Sequence, residues 1–317
     1  MRKVWWNGKI IPESEARISI YDSAFMFADC AFEMCRSFNK VHFKLDEHMD
    51  RLLKSVKMLR IPLDMSISDF KSACDEITEI NRCEFDENDE YRLMIDVTRG
   101  LLPRYAEVGK LGTNVIISVF PLRWATKGLG KYFDIGINCF TPSQRQIPAQ
   151  LLDPKIKHRS RLHFRMALNE GEWPLLLDPD GFISEGPGYN FFIVRDEKLI
   201  SPEPRNILRG ISRDFIRQSM YFNEENIEPY DVYNADGAFI SGTPFCMLPV
   251  ISLNGIKIGD GKPGKEFNFI LGQWGRCVGV DIKKQIQDWD EDVERSGVRK
   301  HRIDIEMPEK MSHVREA

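Results

Sequence analysis

The sequence predicts a two-domain α/β (α+β) fold, with a smaller N-terminal and a larger C-terminal domain. Three observations predict it. The chain has 317 residues, which at roughly 100–200 residues per domain suggests about two. Helix-period and strand-like apolar runs are interleaved in both halves. One stretch, residues 121–131, mixes Pro, Thr and two Gly without a hydrophobic period, which marks a linker. The expected boundaries are therefore 1–120, a linker at 121–131, and 132–284. Residues 285–317 are strongly charged and poor in aromatics, and are read as an exposed extension.

Each element has a local reason. Lys3 to Ile10 reads as a hairpin around Asn7-Gly8, and Phe32 to Phe43 as another around Asn39-Lys40. From Leu45 to Leu59 the apolar positions Leu45, Met49, Leu52, Leu53, Val56 and Leu59 recur at helical spacing. Ile67 to Ile80 reads as a second helix, and Tyr91 to Val97 and Thr113 to Phe120 as strands. Beyond the linker, Tyr132 to Phe140, Trp173 to Leu177 and Tyr189 to Val194 read as strands. Arg159 to Asn169, Ser212 to Phe222 and Lys265 to Val278 read as helices. The uncharged stretch Gly237 to Ile256 is broken by Gly, Pro, Ser, Thr and Asn, so it reads as strand, turn and strand in a core and not as a bilayer span.

Composition excludes several functions. With 44 Lys+Arg against 48 Asp+Glu the formal charge is −4, which argues against a broad nucleic-acid or membrane-surface binder. Seven cysteines at scattered spacings form no CxxC pair, so no metal site is expected, and free thiols in a reducing cytoplasm are. The N-terminus has no apolar core long enough for a signal peptide.

Five motifs could carry chemistry, and each has an ordinary reading beside it. In Ser184-Glu185-Gly186-Pro187-Gly188-Tyr189-Asn190, Glu185 is a solvated turn residue or a buried carboxylate facing a cationic ring nitrogen. In Leu208-Arg209-Gly210-Ile211-Ser212-Arg213, Ser212 caps an ordinary helix, or the helix start binds an anion. Ile240-Ser241-Gly242-Thr243-Pro244 places two hydroxyls beside a flexible Gly. His48-Met49-Asp50-Arg51 lies on a solvated helix face or turns Arg51 inward toward a phosphate. Lys155 to His163 is a basic cluster, or contains a lysine nucleophile whose pKa is lowered by neighbouring cations. Lys155 and Lys157 lie two residues apart and would share one face of a strand.

Taken in order, HxxRLxxS, the lysine, SEGxGxNxF, LRGISR and SGT resemble the fold-type IV pyridoxal-phosphate enzymes. These include branched-chain aminotransferases, D-amino acid aminotransferases and aminodeoxychorismate lyases. The resemblance covers about Val4 to Val278 and implies a homodimer with pyridoxal 5′-phosphate as cofactor. It implies that Lys157 forms the Schiff base and moves the proton, because the residues after it match the family's segment. It implies that Glu185 pairs with the ring nitrogen, and that Arg51, Ile211, Ser212 and Thr243 hold the phosphate. Phe27 and Phe32 match substrate-pocket aromatics, and Arg104 matches an arginine that grips the substrate carboxylate in the D-specific branch. Arg104 read without the family is a surface loop residue. Leu162, Met34 and Ala106 mix the patterns of the branches, so neither substrate nor chirality follows. The expectation is an aminotransferase acting on an apolar amino acid and a 2-oxo acid. The alternatives are a lyase of the aminodeoxychorismate type and a non-catalytic binding protein on the same fold.

Overall fold

The computed structural model describes residues 1–295. An N-terminal sheet contains β1 (Lys3–Trp6), β2 (Lys9–Pro12), β3 (Cys30–Phe38), β4 (Val41–His42), β5 (Tyr91–Thr98) and β6 (Asn114–Pro121), in the order β2-β1-β6-β5-β3-β4. All its neighbours are antiparallel. Strand β5 alternates buried and half-buried residues, as a sheet with one covered face should. The short helix α1 (Ser23–Phe27) precedes β3, and the cover is α2 (Leu45–Met58) and α3 (Ile67–Asn81). Both have the required stripe: Leu45, Met49, Leu52 and Val56 on α2 and Phe70, Cys74 and Ile77 on α3 share a core with Leu93, Ile95 and Val97. Asn7 and Gly8, like Asn39 and Lys40, have positive φ at both turn positions (49° and 84°, 51° and 65°), the twist that two-residue hairpins need.

The second sheet holds β7 (Ile137–Cys139), β8 (Glu185–Gly186), β9 (Tyr189–Arg195), β10 (Lys198–Pro202), β11 (Phe222–Glu225), β12 (Gly237–Gly242), β13 (Cys246–Leu253) and β14 (Ile256–Lys257). Its order is β11-β10-β9-β12-β13-β14, with β7 beside β13 and β8 beside β9. Strand β12 is buried along its whole length and β9 and β13 almost so, which fits sequences whose one charged residue is Arg195 at the end of β9. Short helices α4 (Arg123–Thr126) and α5 (Tyr132–Ile135) lead into this half, followed by α6 (Leu162–Glu170), α7 (Ile211–Ser219), α8 (Pro229–Tyr233), α9 (Lys265–Val278) and α10 (Ile282–Arg295). Phe43, just after β4, inserts its ring 5.0 Å from Phe215 of α7, and Phe215 lies 4.8 Å from Trp274 of α9. Phe38 and Phe43 thus reach from the N-terminal half, which has a core of its own, into the large core of the second half.

Several expectations are corrected. Residues 132–140 are not one strand: Gly136, at φ 72°, separates α5 from β7, and a Cβ there would stand 2.3 Å from Ile251. Trp173 is half-buried and Pro174 to Leu177 are buried, and the stretch makes only isolated bridges. The stretch 121–131 is packed, with Leu122 buried and the amides of Gly128 and Gly130 donating to Asp290 at 2.7 and 2.8 Å. The expectation of an extension outside the core from residue 285 fails for 285–295. Those residues continue α10, whose Ile286 and Trp289 are buried in the large core. With Ile282, four residues before Ile286, they form the apolar stripe of a mainly charged helix, too sparse to dominate its composition. Residues 296–317 lie outside the described residues.

Two junctions join the halves near the site. The part of the β3 edge that β4 leaves free pairs with residues 157–159: the Phe32 amide donates to the Lys157 carbonyl at 3.0 Å and the Arg159 amide to the Cys30 carbonyl at 2.9 Å. The buried Arg36 guanidinium donates to the Pro244 carbonyl at 3.1 Å and to Gln285 Oε1 at 2.8 Å, and lies 3.8 Å from the Phe38 ring centroid.

Candidate active site

A cleft between the halves brings together most of the residues singled out in the sequence. Arg51, Lys157, Glu185, Ile211, Ser212, Thr243 and Phe32 all line it. Phe27 and Arg104 do not. Phe27 ends α1 with 59% of its surface exposed, and Arg104 is exposed on a single 3-10 turn. The two segments are tied to each other, the Ser23 amide donating to the Gly100 carbonyl and Asp22 bridging Leu101, and neither residue lines the chain's own cleft.

Lys157 stands where the β3 edge fixes its backbone. Its amide donates to Ser55 Oγ of α2 at 3.0 Å, and its Nζ lies 4.7 Å from the Phe32 ring centroid. Burial, then the Arg51 guanidinium, push the amine down to about 7, with Glu33 opposing. Lys155, its rival by sequence, turns away: its Nζ pairs with Asp153 at 2.8 Å and donates to the Arg205 carbonyl at 3.0 Å.

Glu185 is buried at the start of β8, just before the turn into β9. Gln146 Nε2 donates to its Oε1 at 3.0 Å, and Asn190 Nδ2 and the Leu208 amide donate to its Oε2 at 3.1 and 3.0 Å. Burial nonetheless raises it to about 7, against the pull of those donors and of Arg161 and Lys157. A carboxylate in this state is stabilised by any cation set against it.

Arg51 points inward, and a residue that the sequence reading missed makes it do so. Glu33 of β3 is fully buried; its Oε1 accepts from Arg51 Nε at 2.6 Å, and its Oε2 accepts from Arg51 Nη2 at 2.9 Å and lies 2.8 Å from His48 Nδ1. Burial works to raise the Glu33 carboxyl, but Arg51 and His48 overcome it and hold it well below the carboxylate range. The remaining Arg51 arm, Nη1, donates to the Arg209 carbonyl at 3.0 Å, beside the start of α7. A lone Glu in the apolar run Cys30-Ala31-Phe32-Glu33-Met34-Cys35 was the available signal for a buried, paired carboxylate. Gln146, in an irregular loop, gave none.

At α7 the cap is Gly210 and not Ser212, and no side chain caps the helix. A Cβ on Gly210 would stand 2.1 Å from Asn190 Oδ1, so a capping side chain has no room. The first turn therefore keeps its amides and positive dipole end for an anion. Beside it, Ser241 Oγ is buried without a hydrogen-bond partner among the described residues, and Thr243 follows two residues later. A Cβ on Gly242 would approach the Gly188 carbonyl to 2.8 Å, so the wall there is bare backbone.

This set fits pyridoxal 5′-phosphate. It offers an amine in nucleophilic form near neutral pH, a buried carboxylate suited to a ring cation, and an uncapped helix start with an inward arginine and an orphaned hydroxyl for a dianion.

Comparison with known proteins gives the same family. The family profile described as amino-transferase class IV matches residues 30–253. The D-alanine aminotransferase of Bacillus licheniformis is 29% identical over 273 residues, covering 83% of this chain and 92% of that protein. A crystal structure of the branched-chain amino acid aminotransferase of Escherichia coli superposes with a TM-score of 0.79 at 26% identity, covering 87% of this chain and 94% of that one. The branched-chain amino acid aminotransferase of Thermobaculum terrenum, solved in its PLP form, superposes with a TM-score of 0.72 at 25% identity, over 91% of this chain and 97% of that one.

Proposed function

The chain belongs to the class IV aminotransferases, fold-type IV enzymes that use pyridoxal 5′-phosphate, and on that premise we propose that it transfers the amino group of an apolar amino acid to a 2-oxo acid. When bound, the cofactor supplies an aldehyde that captures amines and a ring that takes up negative charge from the substrate Cα. We assign Lys157 to hold the cofactor and to carry a proton to and from Cα. Glu185 keeps the ring nitrogen protonated, with Gln146 and Asn190 fixing its oxygens. Arg51, the Ile211 and Ser212 start of α7, and Thr243 hold the phosphate, with Glu33 orienting Arg51. Phe32 forms an apolar wall. The observation that carries this reading is the meeting of Arg51, Lys157, Glu185, Ser212 and Thr243 in one cleft from five separate stretches of chain.

The test is a half-reaction. An amino acid donor alone should convert the bound cofactor to its amine form, seen as loss of visible absorbance, and a 2-oxo acid should restore it. Donors of both chiralities and two acceptors, 2-oxoglutarate and pyruvate, define the substrate. Release of pyruvate without any acceptor would instead mark a lyase, and failure to take up pyridoxal phosphate would end the enzyme reading.

We further infer a homodimer. Ile20, Phe25 and Phe27 lie exposed within eight residues of one another, an apolar strip that a second copy would cover. Sedimentation should give about twice the 36.8 kDa of one chain, and Phe25→Asp should yield a monomer. No helix among the described residues is long and apolar enough to cross a membrane. Free cysteines, five buried and two exposed, support a cytoplasmic location.

A further inference from the structure

The cleft holds a cation that these assignments leave idle. Arg161 sits four residues after Lys157, at the start of α6, and lines the cleft. Its guanidinium carbon lies 5.6 Å from the Phe32 ring centroid and 5.1 Å from that of Phe164. Among the described residues, no hydrogen bond or ion pair holds its side chain. The nearby charges are otherwise engaged. Both Glu185 oxygens accept from Gln146, Asn190 and the Leu208 amide. Arg159, which also lies over Phe32 at 4.0 Å, pairs with Asp96 at 2.7 Å, and Arg51 pairs with Glu33.

The cleft lining supplies apolar surface from Ile147, Leu152, Pro154, Ile156 and Phe164, beside the polar Gln146, His158 and His163. A guanidinium has five donors and no acceptor, so in such surroundings it is satisfied by an anion, best by a carboxylate held on two of its arms. Every amino donor and 2-oxo acid in the proposed reaction carries an α-carboxylate. Arg104, which the family resemblance offered for that group, stands outside this cleft. We propose that Arg161 binds the α-carboxylate of the substrate, while Phe32, Phe164 and Leu152 take its hydrocarbon part. The proposal rests on the aminotransferase reading and adds the residue that recognises its substrates as acids.

The test uses the cofactor-loaded enzyme, a branched monocarboxylate (4-methylpentanoate) and its neutral isostere 4-methylpentanamide, with binding followed by calorimetry. Arg161→Gln should weaken the acid about 10- to 100-fold, as loss of a charge-assisted pair predicts. It should leave the amide within about twofold and the cofactor spectrum unchanged, and Arg161→Lys should recover part of the loss. If Arg161→Gln does not load cofactor, Arg161→Lys carries the test, with a loss confined to the acid supporting the proposal. Equal acid binding by wild type and variant, equal losses of acid and amide, or a wild type that binds the acid no better than the amide would overturn it. So would a displaced pH titration of the cofactor spectrum, which would assign Arg161 to the cofactor. The aminotransferase reading fails separately, when the wild type is not converted by any amino donor.

Discussion

Lys157→Ala takes up pyridoxal phosphate without forming the visible covalent band, and its transamination falls by at least the roughly 10²–10⁴-fold that a positioned proton-transfer group contributes. The measurement is the visible spectrum of the purified variant together with a single-turnover half-reaction. A variant that keeps both would remove Lys157 from the chemistry. The wild type carries a matching pH signature. Burial and Arg51 push its amine down to about 7 from an ordinary 10.5, so the reactive neutral form builds up as pH rises through about 7. The rate of covalent cofactor capture by cofactor-free protein should therefore rise with a midpoint near 7. An exposed lysine would still be gaining reactivity above pH 10. A rise that continues to pH 10 would contradict the described environment.

The second large effect falls on a residue that need not touch substrate. Glu33→Gln leaves the Arg51 guanidinium and His48 facing a buried neutral amide. Breaking a buried pair by removing one partner destabilises by about 3–5 kcal/mol. Denaturant melts should show a lower midpoint at unchanged slope, and cofactor affinity should fall because Arg51 loses the two bonds that aim it. The pH dependence follows from the depressed Glu33 carboxyl. Its folded pKa lies below the unfolded value of 4.5, so its contribution is complete above about pH 4.5 and is lost as pH falls toward the folded value. Wild-type stability should thus drop on acidification below pH 4.5 more steeply than that of Glu33→Gln. Identical melts for the two proteins would rule out the buried triad.

Much of the fold was legible because its periodicities are strong. The stripe on α2, the Asn-Gly turn after β1 and the uncharged β12–β13 pair each follow from local chemistry. What escaped depends on distant partners. Gly136 breaks a strand because Ile251 fills the space beside it, and 173–177 makes only isolated bridges. The charged look of α10 hid three buried apolar residues spaced one turn apart. At the site, residues in motifs were readable and their supports were not. Arg51 and Glu185 stand in recognisable order, but Glu33, Gln146 and Asn190 act only through geometry set by other segments. Arg104 and Phe27 match the family pattern, and the backbone sets both outside the lining of the chain's own cleft.

Helix α10 also sets a timetable for the molecule. It is the last described element to leave the ribosome, yet its Gln285 completes the hydrogen bonds of Arg36, 249 residues upstream, and its Asp290 fastens residues 128–130. A nascent chain that has emerged only to residue 284 already holds every cleft residue named above. It still lacks one acceptor, Gln285, for a guanidinium due to be sealed in the interior, and the Ile286 and Trp289 plug of the larger core. Completion of the larger core therefore waits for α10 to emerge, after every residue that lines the cleft has already been made.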